Sequence, residues 1–184
     1  GQGKPISILQ VGDERSEGEA IVRRIKNAVD IKSRGLSDFA VLYRTNAQSR
    51  SIEEAFIRYN IPYRIVGGQR FYDRKEVKDL MAYLRVIYQP QDRISFERIV
   101  NIPARGIGTK SLQNFYEWQE QNNYSLLESL EKVDHNSTLS TKAKNSFIEL
   151  ADIIISARRQ MNETTLPVLL ESLIRRIDYY AYLD

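Results

Sequence analysis

The chain has 184 residues, 42% apolar and 28% charged with a net charge of +3, a balance typical of a globular protein able to build a sizeable core. It has no cysteine and a single histidine, His135, which excludes disulfides, thiolate metal sites, histidine clusters and a histidine-based triad, so no metal site is expected. No stretch of about 18 apolar residues and no amino-terminal leader is visible, which sets the expectation of a cytoplasmic protein with no membrane partner; the modest positive charge favours polyanions only weakly.

In chain order, "PISILQV" (5–11) predicts a short buried strand. The following 12–30 places Ala20, Ile21, Ile25, Ala28 and Val29 near helical spacing. "FAVLY" (39–43) is too short for a helix and predicts a second strand, after which Ser49 or Ser51 can cap a helix carrying Ile52, Ala55, Phe56 and Tyr59. Pro62 ends that helix, and "PYRIV" (62–66), closed by Gly67 and Gly68, predicts a third strand. The order β-α-β-α-β implies a parallel sheet layered with helices.

After Gly68 the pattern turns helical. Residues 73–88 carry Val77, Leu80, Met81, Leu84 and Ile87 or Tyr88 along one face, and further helices are predicted at 93–101, 109–122, 124–133, 139–161 and 165–182. The expected fold class is therefore α/β, a partial parallel sheet with helices followed by an all-helical subdomain. The ending "RRIDYYAYLD" reads as a surface covered within a longer protein.

Three segments could carry chemistry. At the carboxyl end of the predicted second strand, where open parallel sheets bind ligands, Tyr43 offers a face for stacking and Arg44 a fork for phosphate oxygens. A core-capping tyrosine beside a surface ion pair explains the same dipeptide, and Thr45, Asn46, Gln48 and Ser49 fit loop and cap chemistry equally well. In "GGQRFYDRKEVKD", Phe71 and Tyr72 stand among Arg70, Arg74, Lys75 and Lys78, a mixture suited to a single strand. The alternative makes Asp73 a helix cap and Arg74, Lys75, Glu76, Lys78 and Asp79 a wet helix side. In "IPARGIGTKS", Gly106, Ile107 and Gly108 precede a helix and can aim backbone N–H groups at a phosphate, with Arg105 and Lys110 adding charge; a plain helix-helix turn is the alternative. Thr109 separates Gly108 from Lys110, so this is not a Walker A loop. His135 reads as a solvated loop residue, Trp118 as core, and the acid pairs Glu53-Glu54, Glu117-Glu120 and Asp13-Glu14 as surface.

"FAVLYRTNAQSRSIEEAF", "IPYRIVGGQRFYDRKEVKDLMAYLRV" and "NIPARGIG", in this order, resemble the UvrD/PcrA/Rep-type superfamily 1 DNA helicases, the PcrA branch in particular, over about residues 36–112. The resemblance implies that 1–72 is part of the second RecA-like (2A) domain and 73–184 part of the helical 2B subdomain. It places Tyr43 against the adenine of ATP and Arg44 at the γ-phosphate, as cofactor-binding and, for Arg44, catalytic residues. It makes Gly106, Ile107 and Gly108 a duplex-backbone contact, with Arg74, Lys75, Arg105 and Lys110 as further DNA-binding residues. ATP and Mg2+ are implied for the intact enzyme, moving 3′ to 5′ in repair or replication, with single-stranded and duplex DNA as partners and protein docking through 2B. Because the Walker A and B motifs are absent, the chain alone is expected to bind no cofactor and hydrolyse no ATP. The competing expectation is a stand-alone nucleic-acid-binding or protein-docking module.

Overall fold

The structure, a computed structural model, describes residues 5–32 and 34–183. The chain divides between Arg74 and Lys75 into two compact units.

The first unit is built on two helices, α1 (Glu14–Lys32) and α2 (Ser49–Arg58). Asp13 starts α1 by accepting the Ser16 N–H at 2.7 Å, and that bond, with one from the Ser16 side chain, holds its carboxyl below the ordinary value. A 3-10 turn at Asn46–Gln48 leads into α2, and the Gln48 side-chain oxygen accepts the N–H groups of Arg44 and Thr45 at 3.0 and 3.1 Å. Gln48 thus organises the entry that Ser49 or Ser51 was expected to cap. The helices approach closely at Gly18, where a Cβ would stand 2.9 Å from both the Ala55 Cβ and the Ser51 carbonyl oxygen. Around that crossing Val22, Ile25, Ile52, Ala55, Phe56 and Ile61 are buried, with Phe39, Val41 and Tyr63 packed against them.

The expected parallel sheet is not there. Among the described residues no strand is present, and 5–11, 39–43 and 62–66 exchange no ladder hydrogen bonds. Each was recognised by its apolar residues, but a strand exists only through hydrogen bonds from a neighbouring chain segment, which a local pattern does not contain. Phe39 and Val41 alternate onto the helices while Leu42 is 94% exposed; Ile6 and Ile8 are similarly bare. The α/β assignment is therefore corrected: every regular element among the described residues is helical.

The second unit comprises α3 (Lys75–Tyr88), α4 (Arg93–Ile99), α5 (Thr109–Gln121), α6 (Leu126–Glu131), α7 (Thr141–Gln160), α8 (Leu166–Arg176) and α9 (Tyr179–Leu183). Asp92 caps α4 by accepting the Ser95 N–H at 3.0 Å, and Ser125 and Glu128 form a reciprocal capping box on α6. The long α7 runs through the core, where the Phe147 ring stacks on Phe115 with centroids 4.6 Å apart beside buried Phe96, Leu150 and Ile154. The single helix expected over 165–182 is broken at Asp178, whose φ of 50° leaves helical geometry. The buried face of α3 is Asp79, Ala82, Tyr83, Val86 and Ile87, rotated from the face expected, with Met81 and Tyr88 exposed.

Candidate nucleic-acid interface

Residues 100–108 join α4 to α5 in a tight hairpin, and the chain's own hydrogen bonds show which groups hold it and which it presents. Asn101 folds its side-chain oxygen over the turn, accepting the N–H of Arg105 at 2.7 Å and of Ile107 at 3.3 Å. The Ile102–Pro103 peptide is cis. Gly106 sits at φ 73°, a conformation that favours glycine, and Ile107, 4% exposed, anchors the tip in the core.

Arg105 does not face outward. One guanidinium nitrogen donates to the carbonyls of Ile99, Ile102 and Pro103 at 3.1–3.2 Å, and the other donates to the Tyr83 hydroxyl at 2.7 Å. Tyr83 is fully buried, its hydroxyl donates to the Ile102 carbonyl at 2.5 Å, and burial pushes its phenol above the ordinary value. The Arg105 carbonyl in turn accepts from Ser146 of α7 at 2.8 Å. Arg105 is thus a bracket for the hairpin.

What remains outward is backbone. The N–H groups of Gly106, Gly108, Thr109 and Lys110 have no acceptor among the described residues, and these residues are exposed. Gly108 is the N-cap of α5, contributes no side chain, and has open space where a Cβ would be. Unpaired N–H groups at a helix start, with a lysine in the first turn, favour an anionic oxygen and offer nothing that distinguishes one base from another.

In the first unit, Tyr43 and Arg44 are both exposed, and Arg44 has no ion-pair partner among the described residues. The turn after them meets the 67–74 segment, since Arg74 donates to the Asn46 carbonyl at 3.5 Å. Phe71 lies beneath two guanidinium groups, Arg50 at 4.9 Å and Arg74 at 5.5 Å from the ring centroid. This cluster rests on Glu53, which is 3% exposed and accepts the Tyr63 hydroxyl at 3.0 Å and the Phe71 N–H at 3.4 Å. Burial, with the Glu53 carboxylate beside it, pushes the Tyr63 phenol up to about 12.

The sequence places Glu53 on the surface, and the structure buries it; its only local signal is a position among Ile52, Ala55 and Phe56. Asp79, expected on a wet helix side, is fully buried, accepting Arg98 at 2.7 Å and the Tyr179 hydroxyl at 2.8 Å. Lys75 falls in the second unit, where it donates to the Tyr182 hydroxyl at 2.5 Å, a bond that raises its ammonium above the ordinary value. The 73–88 helix expectation therefore splits: Asp73 ends a 3-10 turn instead of capping α3, and Arg74 is extended.

The chain belongs to the UvrD-like helicase C-terminal domain family, matched over residues 1–176. Among curated relatives, the ATP-dependent DNA helicase PcrA of Leuconostoc citreum is 37% identical over 97% of this chain and 24% of its own length. PcrA of Staphylococcus epidermidis is 39% identical over 99% of this chain and 25% of that protein, and PcrA of Bacillus subtilis 38% over 97% and 24%. The chain spans about a quarter of the length of these relatives.

Proposed function

We propose that the chain is the part of an ATP-dependent 3′ to 5′ DNA helicase that grips duplex backbone and completes one side of the nucleotide site, serving DNA repair or replication. The observation that carries the reading is the hairpin at 105–110, whose outward groups are unpaired backbone N–H donors and a lysine. Such a surface holds phosphates of any sequence, which suits a motor that must advance along all of them. On this reading 1–72 belongs to the 2A domain and 73–184 to 2B, a region also available for protein docking.

The family resemblance supports a nucleotide role for Tyr43 and Arg44, and their exposure leaves both free to meet a ligand. Tyr43 offers its ring to adenine, and Arg44 adds charge where the transferred phosphate becomes more negative. The fit extends to base and terminal phosphate only: no group of three or more acidic or histidine side chains that could hold a metal occurs among the described residues, so Mg2+ would take its ligands elsewhere. When bound, ATP with its metal supplies the free energy of movement.

Fluorescence anisotropy with a short blunt-ended DNA duplex tests the grip. Binding is expected to weaken linearly on a log-log salt scale, with the slope reduced in Lys110→Ala; binding indifferent to salt overturns it. The same chain with Mg-ATP and single-stranded DNA is expected to release no phosphate, because Walker A and B are missing. In the intact enzyme, Arg44→Ala is expected to lower kcat with little change in KM; equal effects on both would make Arg44 a binding residue instead.

A further inference from the structure

We propose that Gln48 is a positioning residue for Arg44, its side-chain oxygen fixing the backbone from which that guanidinium extends. The proposal rests on the nucleotide reading of Arg44 above and adds the residue through which the fold aims it.

Arg44 and Thr45 stand on an exposed segment, and the Arg44 side chain has no ion-pair partner among the described residues. The one hydrogen bond that Arg44 makes among them runs from its N–H to the Gln48 Oε1 at 3.0 Å. The same oxygen accepts the Thr45 N–H at 3.1 Å and lies 3.5 Å from the Thr45 hydroxyl. The backbone closes the turn in the other direction, the Gln48 N–H donating to the Thr45 carbonyl at 3.1 Å. Two N–H donors meeting at one atom require an acceptor, which fixes the carboxamide with its oxygen towards Arg44 and Thr45.

Helix capping does not account for this geometry. A side chain at the third position of a helical turn serves it by reaching back to the N-cap N–H, here that of Thr45. Gln48 reaches one residue further, to Arg44, whose N–H lies outside the turn and has water available to it. What that second bond adds is direction. Gln48 sits at the head of α2, and Ser49 beside it is buried, its hydroxyl donating to the Asn46 carbonyl at 2.9 Å. The anchor continues through Ile52, Ala55 and Phe56 into the core of the first unit. On the other side of Arg44 the chain is loosely held, since Leu42 is 94% exposed. An exposed, unpaired guanidinium is thus tied to a buried helix through one carboxamide, an arrangement that holds a group ready for charge developing on a ligand.

ATP hydrolysis by the intact enzyme with single-stranded DNA tests the assignment. Gln48→Met removes the acceptor at similar size and is expected to lower kcat between about 10- and 100-fold with KM little changed, about 100-fold being the cost of a misplacement of about 1 Å. Gln48→Glu, which keeps an acceptor oxygen, is expected to restore most of the rate. In an Arg44→Ala background Gln48→Met is expected to add almost no further loss, because residues acting as one unit are not additive. A Gln48→Met loss that is undiminished in that background, is shared by Gln48→Glu, or tracks an equal fall in helix content overturns the positioning role and leaves the nucleotide reading of Arg44 standing. So does a wild-type kcat in Gln48→Met beside a low kcat in Arg44→Ala. If Arg44→Ala itself keeps the wild-type kcat, the nucleotide reading fails and the role of Gln48 with it.

Discussion

The two units enclose their cores by different means. The second closes on itself, with α7 surrounded by other helices and Tyr83, Phe96, Phe115, Phe147, Leu150 and Ile154 fully buried. The first has one helix pair and leaves Ile6, Ile8, Leu42 and Val66 between 80 and 96% exposed. An amphipathic helix satisfies its own backbone and needs only an apolar neighbour, whereas an extended segment needs a partner for its backbone as well. Stability should therefore be dense in the second unit and thin outside the α1–α2 crossing in the first.

The largest effect is expected at the aromatic stack: Phe147→Ala should destabilise the second unit by about 4 kcal/mol, read in urea through Trp118, the sole tryptophan, which lies in that unit. A loss below about 1 kcal/mol would mean the core is loosely packed. Asp79→Ala should follow at about 3 kcal/mol, the lower end for breaking a buried pair because Arg98 retains 37% exposure; an unchanged midpoint would show Asp79 to be hydrated.

Gly18→Ala probes the first unit. Alanine gains about 1 kcal/mol of helix propensity, but its methyl meets the rigid Ser51 carbonyl, so a net loss of about 1–2 kcal/mol is expected in helix content followed by circular dichroism. A net gain would mean the helices are farther apart than described.

Smaller still is the titration of Tyr63. Its phenol is raised from 10.0 to about 12, so the folded first unit holds a proton that the unfolded chain gives up at lower pH. Its contribution is complete below pH 10 and is lost as pH rises towards about 12. Tyr63→Phe should remove that decline, at a cost of about 1 kcal/mol near neutrality for the bond to Glu53. Smallest of all, Leu42→Ser should change stability by less than about 0.5 kcal/mol, since the side chain is 94% exposed. A drop of about 2 kcal/mol would show the Leu42 side chain to be buried.

Residue types and spacing were enough to place most helices and the hairpin with its glycines, because each rests on local rules of apolar period and turn residues, while the family was legible only through the resemblance of three stretches to known helicases. The same rules placed an apolar run such as "FAVLY" in a sheet that the described residues do not form. Only tertiary structure decided that Asp79 and Glu53 turn inward, because a carboxylate is buried when distant partners such as Arg98, Tyr179 and Tyr63 meet it. It likewise turned Arg105 from an outward cation into a bracket under the hairpin. Charge is written in the chain one residue at a time, but its direction is set by what folds against it.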